Sequence, residues 1–142
     1  MAILNYTTQI DYHKTISEIQ KILASNGAKK IVIDNNDNGI PVAMTFSIFW
    51  KESYIGFCLP CNFKNIYLAL KKDSRVPKKL RTEEQAVRVG WRIIKDWVAA
   101  QMAIVQSELA TMTEIFLPYA ITAEGRTLYK FIENNQHLML KQ

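Results

Sequence analysis

The longest uninterrupted periodic stretch of this chain runs from Thr82 to Leu109, and it limits what the rest can fold into. Apolar residues recur along it at helical spacing in two nearly opposite stripes, one through Trp91 and Val98 and one that includes Trp97. Thr82 followed by Gln85 has the spacing of a capping box, which predicts the start of the helix. A helix that is apolar on two sides is either enclosed by its own domain or shared with a second copy. We therefore expect a central helix over about 82–109, with a homo-oligomer contact through it as the alternative.

The residues before this helix predict one further helix and three strands. Asp11 is a suitable N-cap for a helix that Asn26 and Gly27 would end. A β-branched run over 30–34, the turn sequence over 35–39 and strict alternation over 40–50 and 54–59 predict a three-stranded antiparallel meander with one apolar face. Phe49 falls on the opposite side of this alternation. A short edge strand over Tyr6–Ile10 is also expected.

The remaining segments predict helices that cover the sheet. Asn62 would cap a helix that continues to about Leu70, and the Pro-containing, charged stretch over 73–80 predicts a loop. Further helical turns are expected over 111–119, as far as Pro118, and over 127–133, before a polar tail from about 134. The chain of 142 residues has no Pro/Gly/Ser-rich linker, so we predict a single α+β domain over 1–142, with one long central helix in its C-terminal half.

Positive charge is concentrated around the start of the long helix. The net charge is +5, and between Lys64 and Lys95 the only acidic residues are Asp73, Glu83 and Glu84. Such a basic segment suits a phosphate backbone or an acidic protein surface, although a solvated face is the ordinary alternative. The candidate binding residues are Lys71, Lys72, Arg75, Lys78, Lys79, Arg81, Arg88 and Arg92. Arg92 also has the spacing for an ion pair with Asp96.

Aromatic residues near the basic segment are the second candidate feature. Trp50, Tyr54, Phe57, Phe63 and Tyr67 could stack on exposed bases, as in proteins that bind single strands, but most aromatics of this kind belong to the core. Tyr54 and Tyr67 are the two candidates for stacking.

Cys58 and Cys61 form the only motif with the spacing of a reactive site. A thiol between a strand and a helix start could have a lowered pKa, but a thioredoxin-like fold needs a later parallel strand, for which the residues after Asp73 show no pattern. A structural zinc needs about four ligands, and His13 and His137 stand alone near opposite ends of the chain. We therefore predict no metal and no cofactor, with a redox role for the cysteine pair as the alternative.

The spacing of the reactive residues gives no support for an enzymatic function. The sequence shows no nucleophile with a base at motif spacing, no Gly-rich phosphate loop and no pair of carboxylates at catalytic spacing. The first residues lack the pattern of a signal peptide, and no apolar stretch approaches the ~20 residues that span a bilayer. We expect a non-enzymatic cytoplasmic protein without a membrane partner.

Three stretches of the sequence resemble a known group of proteins. These are EEQAVRVGWRIIKDWVAAQ over 83–101, EIFLPY over 114–119 and GRTLY over 125–129, together with the hairpin that precedes them. The chain is similar there to small proteins of unnamed function encoded by tailed bacteriophages and prophages. The resemblance covers roughly the C-terminal half and carries no catalytic residues. It implies a phage product that acts in a bacterial cytoplasm on nucleic acid or on a host protein.

Two functions follow as hypotheses from these features. The first is a phage accessory protein that binds nucleic acid, single-stranded or backbone-directed, through the basic segment. The alternative is a protein-binding inhibitor of a bacterial defence effector, of the anti-CRISPR type, whose basic surface covers an acidic one.

Overall fold

Three antiparallel strands lie against a set of helices in the computed structural model, which describes residues 2–139. The elements in chain order are α1 (Tyr12–Ser25), β1 (Lys29–Asn35), β2 (Pro41–Trp50), β3 (Ser53–Pro60), α2 (Phe63–Lys72), α3 (Glu83–Gln106), α4 (Met112–Phe116) and α5 (Leu128–Asn134). Single turns of 3-10 helix occupy Lys78–Leu80, Leu117–Tyr119 and Gln136–Leu138. The predicted α+β class and the antiparallel meander in the order β1-β2-β3 are confirmed.

The start of α3 confirms half of the predicted capping box. Thr82 Oγ1 accepts a hydrogen bond from the N–H of Gln85 at 3.1 Å. The Gln85 side chain does not return to Thr82, because it is buried and donates to the carbonyls of Tyr6 and Thr8 at 2.9 and 2.8 Å. Gln85 therefore anchors the N-terminal segment to α3.

The helix α3 ends at Gln106, earlier than the predicted Leu109. Glu108 adopts a left-handed conformation with φ 62°, and the N–H of Leu109 donates to the carbonyl of Ile104 at 3.1 Å. This is the hydrogen bond of a Schellman motif, which satisfies a terminal carbonyl and turns the chain away from the helix axis.

Both apolar stripes of α3 are used within its own domain. The helices α1 and α2 both pack on α3, and Val87, Trp91 and Val98 are fully buried. The indole N–H of Trp91 donates to the carbonyl of Pro41, the first residue of β2, at 3.1 Å. Toward the C-terminal end the helix becomes exposed at Ile104. A homo-oligomer contact through α3 stays a prediction.

The inner face of the sheet forms the core together with these helices. The alternation predicted for β2 and β3 is confirmed, because Met44, Phe46, Phe57 and Leu59 are buried. Phe116 from α4 contacts the Phe46 ring edge-on, with centroids 5.2 Å apart. The rings therefore tie α4 to the middle of the sheet.

The segments at the two ends of the chain differ from prediction in one case. The edge strand expected over Tyr6–Ile10 is wrong: this stretch is turn and irregular chain, which follows a left-handed Asn5 and is held by Gln85. After α4, Ala120 forms an isolated bridge with Phe57, and the Ile121 N–H donates to the Gly56 carbonyl at 2.8 Å.

Within residues 2–139, no helix has the length and apolar character needed to cross a bilayer.

Candidate nucleic-acid interface

The basic segment separates into arginines with partners inside the protein and lysines on its surface. The four arginines all donate hydrogen bonds to other groups of the chain. Lys71, Lys72, Lys78 and Lys79 are exposed, and none of them lies within 4.0 Å of a carboxylate oxygen among residues 2–139. We call these four lysines the lysine edge.

Arg75 and Arg81 shape the loop between α2 and α3. Arg75 donates to both carboxylate oxygens of Asp73, at 2.8 and 2.9 Å, and this lowers the pKa of Asp73 to about 2. Arg81 donates to the carbonyl of Val76 at 2.9 Å and, more weakly, to that of Asp73 at 3.4 Å. Val76 itself is fully buried, so the loop has a fixed shape. The two arginines therefore hold the chain that carries Lys78 and Lys79.

Arg88 and Arg92 are tied along α3. Arg88 pairs with Glu84 at 2.9 Å, one turn earlier on the same helix. Arg92 donates to Glu18 of α1 at 2.8 Å, with only 17% of its side chain exposed. The expected Arg92–Asp96 pair is wrong, because Glu18 takes the guanidinium while Asp96 accepts from the Asn5 amide at 2.8 Å. Arg92 therefore joins two helices.

The lysine edge is positioned by the end of α2 and by the 3-10 turn. Lys71 and Lys72 lie in the last turn of α2, where a positive charge is favourable to the helix dipole. Lys78 and Lys79 begin the turn Lys78–Leu80, in which the Arg81 N–H donates to the Lys78 carbonyl at 3.1 Å. The two pairs thus come from rigid elements at either end of the fixed loop.

The two predicted stacking residues lie at different ends of the molecule. Tyr67, on α2, is half-buried and has the Lys71 ammonium 5.1 Å from its ring centroid, so it belongs to the lysine edge. Tyr54 pairs with Phe49 near the far end of β2, whereas α3 contacts β2 at Pro41. At about 3.3 Å per residue, the part of β2 from Pro41 to Phe49 spans about 26 Å. Tyr54 therefore lies far along the sheet from the point where Trp91 of α3 contacts β2.

The remaining aromatic candidates divide by burial. Phe57 and Phe63 are core residues, as most aromatics are expected to be. Trp50 is exposed, and so is Phe49, which was not among the candidates. The alternation of β2 already places Phe49 on the outer face, and this was the only signal that could have found it.

The two cysteines differ in environment, and neither has the setting of a reactive thiol. Cys61 is buried, and desolvation raises its pKa to about 12. Its sulfur packs on α3 so closely that a Cβ added at Gly90 would lie 2.9 Å away. A raised pKa keeps Cys61 protonated, which is the opposite of what thiolate chemistry requires.

Cys58 is partly exposed and faces a cleft of about 670 Å³ between the end of β3 and the C-terminal segment. Among residues 2–139, no histidine or carboxylate lines this cleft, and the two cations that do are paired: Arg126 with Glu124, and Lys130 with Glu133. The cleft has the size of a small-molecule site but no group that could activate a nucleophile. Residues 2–139 contain no cluster of three or more His, Cys, Asp or Glu side chains that could hold a metal ion.

Comparison with known proteins returned no match: no protein-family model, curated protein or solved structure is similar to this chain.

Proposed function

We propose that this protein is a non-enzymatic accessory protein, of the phage-encoded kind that the sequence resemblance implies, and that it binds nucleic acid through the lysine edge. The observation that carries the proposal is the difference between the arginines and the lysines of the basic segment. The arginines donate to groups of the protein itself, whereas Lys71, Lys72, Lys78 and Lys79 are exposed and form no salt bridge among residues 2–139.

Backbone-directed binding follows from the kind of cation that is exposed. Lysine ammonium groups act as mobile point charges, which neutralise phosphates without reading bases, whereas the planar guanidinium forks suited to base edges are engaged elsewhere. Such contacts release counterions, so the affinity falls steeply as salt rises. Tyr67 beside Lys71 adds a half-buried aromatic surface at the same edge.

The proposal is tested by measuring the affinity for a fluorescent single-stranded 30-mer over a series of salt concentrations. The variant Lys78→Gln/Lys79→Gln removes two charges from the lysine edge. Its matched control, Lys14→Gln/Lys21→Gln, removes two exposed lysines from α1. We expect the first pair to flatten the slope of log K against log salt by about 1.4, or about 0.7 per lost contact, and the control to leave it nearly unchanged.

Absence of binding at low salt, or equal effects of the two pairs, would contradict the proposal. In the first case the alternative is that the lysine edge covers an acidic host protein, as an inhibitor of a defence effector would. A pull-down from host lysate after nuclease digestion tests that alternative, because a protein partner would be retained and would be lost with Lys78→Gln/Lys79→Gln.

A further inference from the structure

The outer face of the sheet, opposite the core, carries a second group of unusual residues. Residues paired in the register point to the same face, and Phe49 is paired with Tyr54 there. Their rings form an edge-to-face pair with centroids 5.2 Å apart. Phe49 is 60% exposed and Tyr54 is 55% exposed, whereas Phe46 and Phe57 on the inner face are completely buried. Both rings therefore present flat apolar surface to solvent.

Lysines accompany these exposed rings. The Lys30 ammonium lies 5.9 Å from the centroid of Tyr54, and the Lys51 ammonium lies 4.8 Å from that of Trp50. Trp50, at the end of β2, is 42% exposed. Within residues 2–139, neither lysine forms a salt bridge. Since Trp50 follows Phe49 in β2, the alternation turns it to the other face of the sheet, so we call Lys30, Phe49, Lys51 and Tyr54 the sheet corner.

The backbone is strained at the residues that build the sheet corner. A bulge between Lys29 and Val32 places an extra residue in β1, and Lys30 there has φ 49°. The two-residue turn between β2 and β3 consists of Lys51 with φ 47° and Glu52 with φ 71°. Turns of this kind ordinarily use Asn and Gly, because other side chains are strained at positive φ. Strained backbone conformations of this kind concentrate at functional sites, where the identity of the side chain is kept in spite of the energetic cost.

The combination of groups indicates one chemistry for the partner. Exposed rings stack with nucleobases of any sequence, and the ammonium group of Lys30, which lies over the Tyr54 ring, can meet the phosphates between successive bases. In a duplex the faces of the bases are covered by their neighbours, so the rings can reach them only in an unpaired strand. A purely apolar protein partner would have to desolvate Lys30 and Lys51 without offering them a counter-charge.

We propose that the sheet corner is a stacking platform for unpaired bases of a single-stranded nucleic acid. This inference rests on the proposed function and deepens it, because it specifies that the nucleic acid is single-stranded, which the lysine edge alone does not determine. The platform lies about 26 Å along β2 from Pro41, where Trp91 of α3 contacts the sheet, and it shares no residue with the lysine edge.

The test compares two labelled 12-mers with the same phosphate charge: one of thymidines and one of abasic sugars. We expect the wild-type protein to prefer the base-bearing strand, and Phe49→Ala/Tyr54→Ala to weaken binding of that strand by about 5- to 150-fold for the loss of one stacked base. The abasic strand should bind the two proteins equally. The matched control is Tyr129→Ala, which removes an exposed ring from α5.

A second readout needs no variant and so does not depend on folding of the double substitution. Photocrosslinking of a bromouracil-containing strand to the wild-type protein should map to Phe49 or Tyr54. Equal affinity of the wild-type protein for the two 12-mers would overturn the stacking platform, and so would crosslinks confined to other residues. Neither result affects the lysine edge, whose own failure would appear as an absence of salt-dependent binding to both strands.

A protein partner at the sheet corner would give a different pattern. Self-association that Phe49→Ala/Tyr54→Ala abolishes, in a protein that does not distinguish the two 12-mers, would assign these rings to a contact between copies and would overturn the inference.

Discussion

The lysine edge and the sheet corner are both cationic surfaces, but they are built in different ways. At the lysine edge the positive residues are close in sequence, Arg75 and Arg81 hold the loop, and the four lysines are exposed. At the sheet corner, residues from all three strands are brought together by pairing, and exposed aromatic rings accompany the charges. The first surface suits the phosphate backbone of any nucleic acid, and the second suits the faces of unpaired bases.

This difference implies different consequences of substitution. Removing an arginine from the basic segment should reduce stability and leave the lysines in place to bind. Removing strain at the sheet corner should raise stability. The predictions below test these statements in order of decreasing effect.

The largest effect on stability is expected for Arg81→Ala. The substitution leaves the Val76 carbonyl without its donor in a partly buried loop, which costs about 1–3 kcal/mol. Lys79→Ala, two residues earlier and exposed, should change the free energy of unfolding by about 0.5 kcal/mol at most. Urea denaturation of both variants checks this. Equal effects would mean that the arginine does not shape the loop.

Arg92→Ala should destabilise the protein by about 1 kcal/mol, because it breaks the only salt bridge between α1 and α3 in the described part of the chain. A double-mutant cycle with Glu18→Gln isolates the pair, and we expect a coupling energy of about 0.5–1 kcal/mol. A coupling near zero would indicate that Arg92 is available to a partner after all.

The sheet corner should respond in the opposite direction. Replacing Lys51-Glu52 by Asn-Gly relieves two positive-φ positions in a two-residue turn and should stabilise the protein by about 0.5–1 kcal/mol. The thermal midpoint and urea midpoint should both rise. The single variant Glu52→Gly keeps Lys51 and separates relief of strain from loss of charge. A fall in stability in both variants would show that the turn is not strained.

Much of the fold follows from local patterns, whereas the sites depend on contacts between distant segments. The helix caps at Asp11 and Thr82, the turn at Gly39 with φ 76° and the alternation of β2 are set by neighbouring residues, so spacing alone predicts them. Gln85 was assigned to a local cap because nothing in the sequence indicates the carbonyls of Tyr6 and Thr8, nearly eighty residues earlier.

For the same reason, only some residues of the candidate site could be predicted from the sequence. Clustered charge marked the basic segment, but the pairing of Arg92 with Glu18 depends on how α1 packs against α3. The sheet corner combines residues about twenty positions apart, and a bulge at Lys30 shifts the register of β1. Sequence spacing therefore indicated the charges and missed Phe49, Lys30 and Lys51.

The smallest effect is expected for Asp73→Asn, which releases Arg75 from its carboxylate. Nucleic-acid affinity should rise a few-fold, and the salt slope should become steeper by about 0.7, because Arg75 becomes available for one more phosphate contact. Anisotropy titrations at two salt concentrations check both changes. Unchanged affinity would place Arg75 outside the binding surface.

The Asp73–Arg75 pair also makes the stability of the protein depend on pH. Because the pKa of Asp73 is lowered from 3.8 to about 2, the pair contributes stability that is fully present above pH 3.8 and is lost as the pH falls through about 2. In the wild-type protein Arg75 therefore stays paired at neutral pH, and the effect of Asp73→Asn on affinity should be the same from pH 8 to pH 5.

The most direct test is the affinity for one single-stranded oligonucleotide as a function of salt, measured for the wild-type protein and for two variants. Removal of the lysine edge by Lys71→Gln/Lys72→Gln/Lys78→Gln/Lys79→Gln should flatten the slope of log K against log salt by as much as about 2.8. Removal of the rings by Phe49→Ala/Tyr54→Ala should lower the affinity equally at every salt concentration, with the slope unchanged. A flattened slope for the ring variant, or an unchanged slope for the lysine variant, would contradict the separation of the two surfaces.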